Sequence, residues 1–409
     1  MKPNKRKIIN DPVYGFITIP FDIVFDLIEH PYFQRLRRIK QLGLTHFVYP
    51  GAMHTRFQHA IGAVHLMTLV IENLRNKGVD ISNEEAEAVT IAILLHDIGH
   101  GPYSHTLEHC LVAKVSHEDL SEIIMDKLNE QFNGKLNLAI KIFKNKYKKK
   151  FLHQLVSGQL DVDRLDYLNR DSFFTGVYEG VIGYDRIIKM ITIKNDAIVV
   201  EEKGIYSIEK FIIARRIMYW QVYLHKTVIA AEQMLVQILR RAKDLAGQKV
   251  ELFTTPALKT FLYNNITKKE FNKTDILEQF IALDDFDIFT SVKVWANHPD
   301  QTLAYLCKSL INRELFKVVL QKNKFKKSDI EELKNKVKKK HKFSDEEVKY
   351  LVFSDSTTNS AYNMENDQIN ILPKDGMVLD IANASDQLNI SQLAQTVVKY
   401  YLCYPKDIY

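Results

Sequence analysis

Apolar side chains recur every three to four positions over most of the 409 residues, and this spacing predicts a mainly helical protein. The exception comes first. Ile8 to Ile19 holds Asn-Asp-Pro and a glycine among β-formers, which predicts a small hairpin. After Pro20, Phe21, Val24, Phe25 and Ile28 take helical spacing. Pro31 restarts a helix through Phe33, Leu36, Ile39 and Leu42 that Gly43 ends. Further helices are expected over Phe57–Leu74, Glu84–Leu95, Glu118–Phe132 and Phe151–Asp171. Ile191–Val200 alternates around Asn195-Asp196 and predicts a second hairpin. Ser207–Leu245 is the longest helical stretch, apolar on many faces, and so is expected to be central and buried.

The tail has a different texture. Phe271–Tyr350 reads as helical and charged. From Leu351 onward, short β-like runs (Leu351–Phe353, Gln368–Leu372, Met377–Ile381) alternate with Asn, Asp, Ser and Thr. The expected organisation is a core over 1–250, a helical, lysine-rich extension over 251–350 and a small α+β appendage over 351–409.

Composition narrows the class without naming it. Hydrophobic residues make up 46% and charged residues 26%, enough for a sizeable core. A net charge of +6 and a pI near 8.8 suit a polyanionic ligand. The excess sits mostly in Lys141–Lys150 and Lys317–Lys342, which read first as solvated faces and only weakly as a surface for single-stranded nucleic acid. Three scattered cysteines give neither a disulfide framework nor a zinc-thiolate site. Neither a signal peptide nor a membrane span is expected, and a reducing cytoplasm is the default compartment.

The histidines change the picture. Nine of the 14 fall between His46 and His117, a density that packing does not produce. At its centre stands His96-Asp97-Ile98-Gly99-His100-Gly101-Pro102-Tyr103-Ser104-His105, directly after an apolar helix. A carboxylate buried there needs a cation, and a divalent metal supplies one; imidazole and carboxylate are ordinary ligands for Mn, Fe and Zn and, less often for His, Mg. His100 lies four residues from His96, and Gly99, Gly101 and Pro102 break the helix so that His105 can turn back. His59, near the start of its own helix, can approach the same space. Three aspartates in Asp161-Val162-Asp163-Arg164-Leu165-Asp166-Tyr167 are poorly explained as a solvated face. Asp163 is the candidate fourth ligand, with Arg164 and Tyr167 as candidate phosphate contacts. Spacing of four puts Arg215, Tyr219 and Tyr223 on one stripe, a candidate pocket wall.

These blocks resemble the HD-domain superfamily. Within it they are similar to the dNTP triphosphohydrolase branch, which includes the sterile-alpha-motif-and-HD-domain dNTPase and bacterial dGTPase-like enzymes. The resemblance rests on Asn10-Asp11-Pro12, the run Phe33 to Gly43, Tyr49-Pro50-Gly51-Ala52, Arg56-Phe57-Gln58-His59, the His96–His105 run and Asp161–Asp171, and it spans residues 8 to about 230. It implies a multi-helix HD core with small β hairpins and hydrolysis of a dNTP to deoxynucleoside and inorganic triphosphate. The implied metal ligands are His59, His96, Asp97 and Asp163, holding Mn, Mg or Fe. Arg56, Arg164, Tyr167 and Arg215 would hold phosphates; Gln41, Leu42, Asp171 and Tyr223 would hold the sugar. His100, His105, His117 and Glu118 would handle protons and water, with His105 as the acid that protonates the leaving sugar oxygen. The resemblance further implies a homo-oligomer (tetramer or dimer) and an activating nucleotide near Lys7, Ile8, Gln34 and Arg37. Tyr219 departs from a histidine common in the animal protein, and Arg164 from a lysine. Two other readings stand beside this one: an HD phosphohydrolase of another nucleotide phosphoester, and a nucleotide or nucleic-acid sensor with secondary catalysis.

Overall fold

Asp11 closes the first hairpin. Its Oδ1 accepts from the backbone N–H of Val13 (2.9 Å) and Tyr14 (3.0 Å), turning the chain between β1 (Ile8–Asp11) and β2 (Gly15–Thr18). Gly15 has φ +76°, which suits a residue without a Cβ. In the computed structural model the described residues are 7–103, 110, 112, 115–363, 368–386, 390 and 395–408.

Beyond this hairpin the chain is mostly helical. After α1 (Asp22–Glu29) and the single turn α2 (Pro31–Gln34) come α3 (Arg56–Asn76), α4 (Asn83–Leu95), α5 (His117–Gln131), α6 (Asn137–Phe143), α7 (Lys150–Val156), α8 (Val162–Thr175) and α9 (Tyr184–Met190). The second hairpin is β3 (Ile191–Lys194) with β4 (Ala197–Glu201), as expected from its alternation. Next lie α10 (Ile205–Met218), α11 (Lys226–Gly247), α12 (Pro256–Tyr263), α13 (Thr274–Ala282), α14 (Asp285–Trp295) and α15 (Gln301–Ile311). The fold is mainly α with small β elements.

Four expected elements come out differently, each for a local reason. The helix from Pro31 does not run to Gly43: Arg35–Arg38 tightens into a 3-10 turn, and the chain then leaves helical geometry at Ile39. Phe151–Asp171 is two helices, because Asp161 accepts from Gly158 N–H (2.9 Å) and Arg164 N–H (2.7 Å), which ends one segment and caps the next. Ser207–Leu245 is broken by a π-turn over Tyr219–Tyr223 and restarted by His225, whose Nδ1 accepts from Thr227 N–H at 3.2 Å. Phe271–Tyr350 contains a strand, β5 (Lys317–Gln321), before α16 (Lys327–His341) and α17 (Asp345–Val348).

The C-terminal strands are shared with the rest of the chain. β6 (Phe353–Asn359) and β5 flank β9 (Val397–Tyr404), an antiparallel sheet whose central strand the hydrophobic pattern did not reveal. β7 (Asn370–Leu372) pairs parallel with β4 and antiparallel with β8 (Leu379–Asp380), which precedes the short α18 (Ile381–Ala384). Sheet pairing therefore binds residues beyond 351 to the hairpin at 191–201. In α16, Leu333 and Val337 pack inward while Lys334, Lys336 and Lys338 pair with Glu331, Glu332 and Asp345. Much of its positive charge is thus answered locally. No helix among the described residues is long and apolar enough to cross a membrane.

The core gathers around α3, which packs against α4 and α8. The closest approach is at Gly62, where an added Cβ would collide with the Arg170 guanidinium and the Asp166 carboxylate of α8. Arg170 is fully buried and pairs with Asp166 (2.9 Å) and Asp11 (2.8 Å), so one side chain joins α8 to the N-terminal hairpin. Gly62→Ala is expected to lower unfolding free energy by about 1–3 kcal/mol, read from the denaturant midpoint. An unchanged midpoint would contradict this packing.

Candidate metal centre and substrate cavity

Each ligand candidate is placed by a helix end. Thr55 and Gln58 form a capping box that starts α3 at Arg56, with Thr55 N–H donating to Gln58 Oε1 at 2.8 Å. Arg56 and His59 then lie one turn apart at the start of that helix. α4 ends at Leu95, so His96 is its C-cap and Asp97 to His100 form a turn rather than further helix. That turn is locked from two sides. Ser121 Oγ donates to His96 O (2.8 Å) and accepts from Gly99 N–H (2.9 Å), while the buried Arg35 donates to Ile98 O and His100 O, both at 3.0 Å. A Cβ on Gly99 would run into the backbone of His117 and Ser121. Asp163 stands in the first turn of α8 behind the Asp161 cap.

These side chains converge. His59 Nε2 lies 3.1 Å from Asp163 Oδ1, and His96 Nε2 lies 3.4 Å from the same oxygen. Asp97 adjoins all of them: its Oδ1 is 3.4 Å from His96 Nε2 and from His100 Nε2, and its Oδ2 is 3.9 Å from His59 Nε2 and ion-paired with Arg56. His100 stacks on His117 with ring centroids 3.9 Å apart. Asp97, His100 and His117 also lie close enough to share an ion among themselves.

The imidazoles are set up as ligands. His59 Nδ1 faces Asp166 Oδ2 at 2.7 Å, and His96 Nδ1 faces Ile93 O at 2.7 Å. Each contact fixes the proton on Nδ1 and turns the Nε2 lone pair toward the cluster. Both Nε2 atoms are buried and make no well-formed hydrogen bond. Two buried nitrogens without partners, beside two carboxylates, fit a divalent cation. The charges are strongly coupled. Burial opposes ionisation of Asp163 and Asp97, but His59 and His96 at the former, and His96, His100 and Arg56 at the latter, hold both well below the ordinary carboxylate range. Burial likewise opposes a charge on His59, yet without a bound cation Asp163 and Asp166 raise it to about 10, so that a proton on Nε2 takes the position a metal ion would fill. For His100, burial and the Arg56 charge prevail and push its imidazole well below the ordinary value.

Beside the cluster opens a cavity of about 450 Å3. Arg56 and Asp163 belong to its wall, as do Arg164, Tyr167, Gln41 and Leu42, Asp171, Tyr219 and Tyr223. Arg215 is not in the wall, but it acts on Tyr167 through its charge. Arg164 Nε and Arg215 Nε are buried and unbonded among the described residues. Tyr223 donates its hydroxyl to Asp171 Oδ2 (2.7 Å), and Asp171 Oδ1 faces His54 Nε2 (2.7 Å). Both Asp171 oxygens are thus engaged within the protein, and Asp171 orients Tyr223.

Several residues carry no clear signal in the sequence. His54 is buried behind the wall, against Asp171, and stacks on Phe174. Asp166 and Arg170 support His59 from behind; of the three aspartates, Asp163 was the one named as a ligand candidate and it lies beside His59 and His96, whereas the cap formed by Asp161 and the support from Asp166 had no signal of their own. Of the other expected residues, Glu118 is exposed in the first turn of α5, and His105 lies outside the described residues. Lys7, Ile8 and Arg37 are exposed, and Arg37 donates to Gln34 Oε1 (2.8 Å) while covering the Phe57 ring. Asp166→Asn keeps the shape but removes the charge that orients His59. Its expected effect is a roughly 10- to 100-fold weaker affinity for Mn(II), measured by competition with a chelator; wild-type affinity would contradict the assigned support.

Comparison with known proteins agrees with this geometry. The HD domain model matches residues 56–171, and the HD associated region model matches 182–255. The chain is 32% identical over 422 residues to the uncharacterized protein YwfO of Bacillus subtilis, covering all of this chain and 94% of that one. It is 33% identical over 255 residues to a deoxynucleoside triphosphate triphosphohydrolase SAMHD1 homolog of Dictyostelium discoideum, covering 58% of this chain and 49% of that protein. Among solved structures, a phosphohydrolase from Bacteroides thetaiotaomicron matches with a TM-score of 0.94 and 56% identity, over 98% of this chain and 99% of that one. A hypothetical protein from Aquifex aeolicus matches with a TM-score of 0.74 and 27% identity, over 98% and 97%. The chain belongs to the HD-domain family, in the branch that includes the SAMHD1 relatives.

Proposed function

We propose that this HD-domain phosphohydrolase converts deoxynucleoside triphosphates to deoxynucleoside and inorganic triphosphate. The observation that carries the reading is the junction of two features: a buried His/Asp cluster with two unbonded imidazole nitrogens, and a cavity of about 450 Å3 into which Asp163 of that cluster opens beside Arg56 and Arg164. His59, His96, Asp97 and Asp163 would hold a divalent cation such as Mn, Mg or Fe. When bound, such an ion polarises a phosphoryl oxygen and lowers the pKa of water.

The chain's own groups supply the rest. Arg56, Arg164 and Arg215 neutralise the triphosphate, and Tyr167 donates to it, so that charge building on the phosphoryl oxygens under attack meets preplaced donors. Water forms the new bond to phosphorus as the bond to the sugar 5′-oxygen breaks, and that oxygen takes up a proton. The histidines at 100, 105 and 117, with Glu118, form the proton-handling group, and His105 is assigned as the acid. Gln41 and Leu42 contact the sugar, and Tyr223, held by the Asp171–His54 chain, leaves little room for a 2′-hydroxyl. Names of relatives support the substrate class: the Dictyostelium, Bos taurus and Gallus gallus proteins are named as deoxynucleoside triphosphate triphosphohydrolases. An activating nucleotide is assigned to the exposed Lys7, Ile8 and Arg37 with the half-buried Gln34, in a homo-oligomer.

The test is product analysis. The protein is incubated with each dNTP, singly and in pairs, with Mg or Mn. Deoxynucleoside and inorganic triphosphate are expected in equal amounts, absent for His96→Ala; turnover that appears only in mixtures identifies the activator. Release of monophosphate and pyrophosphate, or full activity in His96→Ala, would refute the reading.

A further inference from the structure

Glu232 of α11 faces the same cavity as the arginines, yet nothing in the mechanism uses it. Its surroundings are unusual for a carboxyl group. Among the described residues it has no hydrogen bond and no ion pair, and only burial acts on it, pushing it up to about 8. Arg56, Arg164 and Asp163 line the same cavity, but none of them is ion-paired with Glu232 among the described residues. A Cβ on Gly43 would lie 3.7 Å from Glu232 Oε1 and 3.7 Å from the Tyr103 carbonyl oxygen, and Gly43, at φ +48°, leaves that space open. Tyr401 of β9 is close enough to be influenced by the Glu232 charge.

A half-buried carboxyl that desolvation holds largely neutral ionises when a ligand brings N–H donors to it. The triphosphate cannot, because it repels a carboxylate. On the reading of the cavity as a dNTP site, the part of the substrate beyond the sugar is the base. Only guanine offers two adjacent N–H donors on one edge, N1–H and the N2 amino group. Adenine, cytosine and thymine set an acceptor beside each donor, so one carboxylate oxygen would face a lone pair. We propose that Glu232 is a specificity determinant that accepts both hydrogen bonds from the guanine edge and so makes the enzyme prefer dGTP. This rests on the function proposed above and adds to it the preferred base.

The experiment compares kcat/KM for dGTP, dITP and dATP in the full-length wild type and in Glu232→Gln, with Mn present. dITP keeps N1–H and lacks only the N2 amino group. Wild type is expected to favour dGTP over dITP by about tenfold, a comparison that needs no folded variant. Glu232→Gln should lower kcat/KM for dGTP roughly 10- to 100-fold, bring the dGTP to dITP ratio near one, and hold dATP within about threefold. Equal use of dGTP and dITP by wild type, an equal loss for every substrate in Glu232→Gln, or a Glu232-dependent preference for dATP would overturn the inference. Calorimetric binding of dGTP and dITP without metal separates the two proposals. Glu232-dependent dGTP binding without triphosphate release would sink the reaction and leave the base contact standing. Triphosphate release without base preference would do the reverse.

Discussion

Asp166 lies fully buried between His59 and Arg170, with its carboxylate shared by both. One oxygen holds the Nδ1 side of His59 and so aims Nε2 at the cluster. The same carboxylate pairs with Arg170, which reaches across to Asp11 in the N-terminal hairpin. Gly62 of α3 is small because these groups occupy the space a side chain would need. The helix packing, the closure of the hairpin and the orientation of a ligand therefore depend on one buried ion pair. Such a pair is expensive to break, since either partner left alone is an uncompensated buried charge.

The cavity wall carries Arg56, Arg164 and Asp163, and also Glu232, which has no ion pair among the described residues. Two aromatic members of that wall, Tyr219 and Tyr223, come from the π-turn at 219–223, where α10 gives way to α11. A regular helix would have continued the stripe of Arg215, Tyr219 and Tyr223. The wider turn instead brings Tyr223 to Asp171, and the hydroxyl is fixed by a neighbour from α8.

Much of this was legible in the sequence, and what was not has physical reasons. The amphipathic periods gave the major helices because burial of one face decides them. The crowding of histidines before a glycine-rich turn marked the cluster, since a buried carboxylate needs a cation. Asp163 was singled out among the three aspartates, but local pattern did not show what Asp161 and Asp166 do. Asp161 caps, Asp163 joins the cluster and Asp166 supports, and only the start of α8 sorts them. Nothing set His54 apart from the other histidines, because its partner, Asp171, lies 117 positions away. Glu232 carried no signal in the sequence. The breaks at Ser157–Asp161 and Tyr219–His225 arise from capping and from a π-turn that hydrophobic periodicity does not register. Strand β9 is partnered by segments far from it in the chain, and its pairing is what makes it a strand.

The proposed chemistry requires a divalent cation, which His59, His96, Asp97 and Asp163 would hold. Anomalous diffraction from crystals grown with Mn(II), collected at the manganese edge, tests it most directly. The account predicts one strong peak within coordination distance of His59 Nε2, His96 Nε2 and both carboxylates. A fully ordered cluster with no peak there, its imidazoles bonded to the aspartates alone, would contradict it.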